Sequence, residues 1–161
     1  MAATGRLNDV GSAVVRGTAA NVASMLALAA CSKRETGSAL AAINAISHWA
    51  WGNADASRNR FSWKRTVIGA LTNQAASVFW AFCLEHLFAS RNGRATEPRL
   101  VGEAAAVSAL AFVVDYTVTP NRLTPGYELR LSKPSIAAVY VAFAGGLALG
   151  SILLQRAGRE H

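Results

Sequence analysis

Glu103 and Asp115 are two carboxylates in a stretch with little room for either. They bracket 11 uncharged residues inside an apolar run from Leu100 to Thr119. Their separation of 12 residues advances about 18 Å on a helix, against a bilayer hydrocarbon layer of about 30 Å. If the run crosses a membrane, at least one carboxyl group must face a bundle interior, a water-filled recess or a partner. An Asp at mid-bilayer costs about 2.5–3.5 kcal/mol on insertion scales, so an acid kept there is expected to have a use.

Few side chains can answer these acids. Asn44, His48 and Trp51 share one helical face by their i, i+4 and i+3 spacing. Asp115, His48, Asn44, Trp51, Tyr116 and Arg122 form a candidate polar recess. A carboxylate beside an imidazole suits a proton relay, a metal site or a polar ligand pocket. The same pair also suits a structural hydrogen bond that docks one segment on another. Arg16 is placed to clamp Glu103 or Glu85 across helices. Glu85 and His86 also read as an anchor where their helix leaves the membrane. No residue is assigned a catalytic role.

These assignments depend on the elements that carry the residues. Hydrophobic residues make up 52% of the chain and charged residues 16%, below the roughly 25% charged share of soluble domains. The charges cluster between long uncharged runs, whereas a soluble bundle would show them along each wet face. Thr66 to Leu84 and Ser135 to Leu154 are 19 and 20 residues without a charge, close to the membrane thickness. The expected spans are 13–32, 66–88, 100–119 and 135–154, with Arg16 snorkelling at the start of the first. Residues 38–51 carry an apolar patch too short to cross, read as a short amphipathic, interfacial or re-entrant helix. A turn with Gly93 and Pro98 is expected between the second and third spans. The stretch from Pro120 to Pro134 contains Pro125-Gly126 and reads as an ordered loop. The fold expected is therefore all-α: one integral membrane bundle of four transmembrane helices with a short helix after the first.

Four spans put both termini on one side, side A, and the 38–51 helix and the Pro120–Pro134 loop on the other, side B. Glu103 then lies near Arg16, Glu85 and His86, and Asp115 near His48, Trp49, Trp51, Tyr116, Arg122 and Tyr127. Side A holds seven Lys and Arg, including Arg6, Arg91 and Arg94, and side B nine. The positive-inside rule accordingly favours a cytoplasmic side B and non-cytoplasmic termini, in a bacterial inner (plasma) membrane. The net charge of +7 is read as attraction to anionic lipid head groups rather than to nucleic acid, because no aromatic residues interleave with the bases as a nucleic-acid motif would require.

Leu28-Ala29-Ala30-Cys31 resembles a lipobox, so processing at Cys31 is an alternative to a first span. Cys31 and Cys83 form no CxxC pair, which argues against a zinc site. The motifs of nucleotide binding, metalloprotease and serine-hydrolase chemistry are missing. His48 and His86 fall on opposite sides and His161 in the tail, so haem between two histidines is not expected. No cofactor or metal is implied. Gly146 and Gly150 form a GxxxG in the fourth span, suited to close helix packing within the chain or between copies.

The leading expectation for function is non-enzymatic: a small membrane protein acting through helix packing with itself, as a homo-oligomer, or within a larger membrane complex. The alternative is a small transporter or channel-like protein using an Asp115/His48 recess. A third is a lipid-modifying membrane enzyme, with His48 as base and Asp115 orienting it.

Overall fold

The computed structural model describes residues 2–53, 58–88 and 95–159, with the side chains of residues 2–9 left aside. Arg91, Gly93, Arg94, His161 and the Arg6 side chain lie outside what is described. Among the described residues there are helices and turns and no strand. The chain runs α1 (Ala2–Thr36), α2 (Ala41–Ile46), α3 (His48–Trp51), α4 (Ile68–Phe88), α5 (Glu97–Val113) and α6 (Lys133–Ala157). A π turn, Trp63–Val67, leads into α4, and a second, Val114–Val118, ends α5. Four segments are long and apolar enough to cross a membrane: Val10–Thr36, Trp63–Phe88, Glu97–Val118 and Lys133–Ala157. In lipid every backbone polar group must be satisfied internally, which a continuous helix does.

Local sequence explains where these helices begin and end. Pro98 sits in the first turn of α5 and Pro134 in the first turn of α6, where a missing N–H costs nothing. Pro98 therefore starts the third span rather than closing a preceding turn. Pro120 ends that span. It biases Thr119 to the extended conformation seen there, and the last turn widens so that the Thr119 amide donates to the Val114 carbonyl at 2.9 Å.

The long helices alternate in direction. Gly146 and Gly150 of α6 meet Ala20 and Arg16 of α1 in reverse order. Asn73 and Glu85 of α4 meet Asn21 and Arg16 of α1, also in reverse order. Small residues bring the backbones together. A Cβ added at Gly146 would lie 2.5 Å from the Ala20 Cα, and one at Gly17 would lie 2.6 Å from the Val78 Cα. The GxxxG thus packs inside the chain, against α1. The helices α1, α6 and α5 form a tightly packed row, with α4 on the other flank of α1, while α4 and α5 touch only sparsely.

Two apolar cores result. The side A core holds Ala20, Ala81, Leu84, Val107, Phe143 and Leu147. The side B core gathers Leu28, Ile43, Ile46, Tyr127, Leu131 and Ile136. The short patch after α1 breaks at Ser47 into α2 and α3. Every residue of α2 is buried, so it is a wedge inside the bundle end rather than an amphipathic helix lying on the membrane. Trp49 and Trp51 beyond it are exposed, which suits the interfacial level where amphipathic rings settle.

The side B end is tied together by polar contacts across long sequence separations. Glu35 at the end of α1 accepts hydrogen bonds from the Ser132 amide and hydroxyl, both at 2.7 Å, and from the Ser135 hydroxyl. A carboxylate from one helix thereby caps the N-terminus of another, where the helix dipole favours negative charge. Arg34 adds a hydrogen bond to the Ser135 hydroxyl at 3.0 Å.

Candidate functional site

The sparse contact between α4 and α5 leaves a half-open cavity of about 130 Å³. Asn73, Ser77 and Trp80 of α4 form one wall; Ala111 and Asp115 of the α5 span form the other. Val139, Tyr140 and Phe143 of α6, with Ser24 of α1, close its floor. Leu123 to Pro125, Tyr127 and Trp49 approach from the side B end.

Asp115 lies in the π turn at the end of α5, four residues before Thr119. Its Oδ2 accepts a hydrogen bond from the Tyr140 hydroxyl at 2.6 Å. Among the described residues no other donor and no basic side chain is bonded to it. Tyr140 belongs to an aromatic group with Phe112, Tyr116 and Tyr127, whose ring centres lie 5.2 to 6.4 Å from its own. Tyr127 is nearly sealed off from solvent, and burial raises its pKa well above the ordinary phenol value. It therefore stays neutral at any physiological pH. The Tyr116 hydroxyl reaches Glu128 at 3.5 Å, and Thr124 donates to the other oxygen of the same carboxylate. Glu128 stands behind the cavity as a second acid in the side B loop.

The loop that carries Tyr127 owes its position to Gly126. That residue has φ +88°, and a Cβ on it would lie 2.4 Å from both the Ala45 carbonyl oxygen and the His48 ring. Glycine supplies both the left-handed conformation and the closeness. His48 is the surface on which the loop lands. It is buried, with Nδ1 at 3.1 Å from the Ala45 carbonyl. His48 lines a separate surface recess with Gly52, Asn53, Asn121 and Arg122. The expected Asp115/His48 recess is therefore divided in two, because Gly126 and Tyr127 come between the α2–α3 wedge and the α5 span.

The remaining expected members have local duties. Asn44 is buried and donates to the Arg58 and Arg60 carbonyls at 3.0 and 2.9 Å. Its side-chain oxygen accepts from Thr66 at 2.6 Å. The amide thus pins the basic loop to α2, with both its N–H bonds taken and its oxygen engaged by Thr66. Trp51 is exposed, with the Lys64 ammonium 6.0 Å from its ring centre. Arg122 donates to the Trp49 carbonyl at 3.4 Å. Tyr116 alone among these joins the Asp115 group.

At side A the clamp forms between Arg16 and Glu85, at 2.5 Å, and not between Arg16 and Glu103. Glu103 pairs instead with Arg99 one turn earlier on its own helix, at 2.8 Å. Helix spacing makes that partner the nearest one available. His86 is exposed, bonded to the Phe82 carbonyl at 3.0 Å and packed on the Phe82 ring. Among the described residues no group of three His, Cys, Asp or Glu gathers as metal ligands would.

Tyr140, Tyr127, Trp80 and Asn73 were not among the expected site residues. Asn73 carried a signal, as an amide in an uncharged span. The tyrosine beside Asp115 carried none, because α6 and α5 are distant in sequence and any of several rotations would satisfy their composition. Comparisons with family models, with curated proteins and with solved structures give no match for this chain. What can be assigned at this point is the class: an all-α four-helix bundle whose helices are long and apolar enough to span a membrane.

Proposed function

We propose that this protein is a small multi-pass membrane protein of the transporter or channel-like kind, which holds a small ligand or ion in the crevice between α4 and α5. One observation supports this above all. The cavity of about 130 Å³ has a carboxylate, Asp115, in its wall, with no basic side chain among the described residues to neutralise it. A partly buried carboxylate in an apolar span is costly without a partner, and such groups mark substrate and ion paths. The assembly reading was motivated by Ala- and Gly-rich helix surfaces, and of these Gly146 and Gly150 are already filled by α1. Its remaining support is the exposed apolar outer faces, which lipid covers equally well. The enzyme reading loses its orienting acid, since Gly126 and Tyr127 come between His48 and Asp115.

Side B carries the exposed Trp49, Trp51, Phe61 and Trp63 beside Arg60 and Lys64. Aromatic belts mark either face, whereas an excess of Lys and Arg favours the cytoplasmic one, so on its larger basic count we place side B inward in a bacterial inner membrane. A reporter active only in the cytoplasm, fused at the C-terminus, should then stay silent.

The function is tested with the full chain in proteoliposomes across a pH gradient. The wild-type protein should show a saturable, pH-dependent flux of protons or small solutes, and Asp115→Asn should abolish it while keeping a cooperative thermal transition. A wild-type chain that carries no flux, or an Asp115→Asn chain that carries the same flux, ends this reading.

A further inference from the structure

We infer that the crevice between α4 and α5 is built for a small organic cation of the ammonium class. The inference rests on reading the crevice as a ligand site and adds the chemistry of the ligand.

Several polar groups in the cavity wall spend their protons elsewhere and keep lone pairs toward the space. The Tyr140 hydroxyl spends its proton on Asp115, leaving the carboxylate as acceptor. Asn73 turns both amide N–H bonds to α1, toward the Asn21 side-chain oxygen at 2.7 Å and the Ser24 hydroxyl at 3.3 Å. Its own oxygen takes no hydrogen bond among the described residues. Ser24 donates to the Asn21 carbonyl at 3.1 Å. Thr124 donates to Glu128 or to the Asn121 carbonyl. A wall that offers acceptors and one carboxylate repels anions and favours donors with positive charge.

Aromatic rings complete the selection. Trp49, Trp80, Tyr127, Tyr140 and Phe143 line the same space. The faces of such rings attract a cation within about 6 Å, and cages of this kind recognise substituted ammonium groups. Divalent cations fit less well, since their charge is usually met by more than one carboxylate, whereas Asp115 is the cavity's one carboxylate among the described residues. Size sets the last limit. A protein cavity of about 150 Å³ takes a benzene-sized molecule, so a cavity of about 130 Å³ accommodates a compact ammonium head and little more.

The test uses the purified full chain in mild detergent, with tetramethylammonium chloride as probe. Sodium chloride serves as the salt control and tert-butanol as a neutral probe of similar bulk. Calorimetry and thermal unfolding should register tetramethylammonium, with no comparable response to the other two. Asp115→Asn should weaken its binding about tenfold or more. Trp80→Leu should weaken it about twofold to fivefold, the scale of one cation–π contact. If Asp115→Asn does not fold, Ala76→Leu is read instead, and it should abolish binding by filling the crevice from α4. If tert-butanol or sodium binds as well as tetramethylammonium, the cation assignment is overturned and the ligand site stands. Binding unchanged in Asp115→Asn and in Ala76→Leu overturns it as well. If no probe binds and the wild type carries no flux, both the cation assignment and the crevice reading fall.

Discussion

The two long seams of this bundle are opposites. Between α1 and α6, Gly146 and Gly150 let the backbones approach until an added Cβ would strike the neighbouring main chain at 2.5 to 2.8 Å. Between α4 and α5, contact is sparse and a cavity remains, ringed by Asp115, Tyr140 and Trp80. Both seams are made from similar Ala-rich helices, so composition does not separate them. What separates them is the size of the residues that meet. In lipid, helices associate through close packing and interhelical hydrogen bonds, because no hydrophobic gain drives them together. The α1/α6 seam has both small residues and reach. Beside the α4/α5 seam, Trp80 of α4 and Tyr140 of the adjoining α6 line the space that remains. The tight seam makes the fold, and the loose one is left available for a ligand.

This contrast can be broken most forcefully at Gly146. Gly146→Leu drives a side chain into the Ala20 backbone, and overpacking of this kind costs about 1–3 kcal/mol where neighbours can yield. Here the neighbour is main chain, so the cost should lie at or above the upper end, and the thermal midpoint in mild detergent should collapse. Ala76→Leu, the same enlargement at the crevice, should stay within about 0.5 kcal/mol of the parent, as exposed sites do. Equal losses at the two positions would erase the distinction between the seams.

The next effect in size concerns charge. Glu85→Gln removes the acid that pairs with Arg16 across α1 and α4. It should cost about 1.5–3 kcal/mol, the range for hydrogen bonds to charged groups, seen as a lower midpoint in thermal unfolding. The smallest effect should come from Glu103→Gln. That acid pairs within one helix turn with the partly exposed Arg99, and such pairs contribute about 0.3–0.5 kcal/mol. A larger loss from Glu103→Gln than from Glu85→Gln would reverse the roles of the two acids.

Much of this architecture was legible from residue order. Uncharged runs of membrane length marked the helices, Pro120 and Pro134 bounded the side B loop, and Pro125-Gly126 marked a turn inside it. Asp115 stood out because its depth is costly in lipid. Its partners were harder to see. His48 was the attractive choice, being the titratable group nearest in the expected topology. Gly126 and Tyr127 displace it, and their effect depends on where a loop lands. Arg16 had two candidate acids at side A, and sequence could not rank them. Glu103 has Arg99 four residues away on its own helix, a local partner outside the cross-helix pairs expected for it.

Sequence alone determined that these runs are helices of membrane length and that one of them takes at least one of Glu103 and Asp115 away from lipid. Those are local properties: backbone groups in lipid must be satisfied within the segment, and the cost of a charge follows from its depth. Tertiary structure alone decided which side chains meet the carboxylate. A helix can turn about its axis without changing its composition or length, so its rotation is settled by packing. Gly146 and Gly150 lock α6 onto α1, that lock aims Tyr140 at Asp115, and Trp80 lines the space beside them.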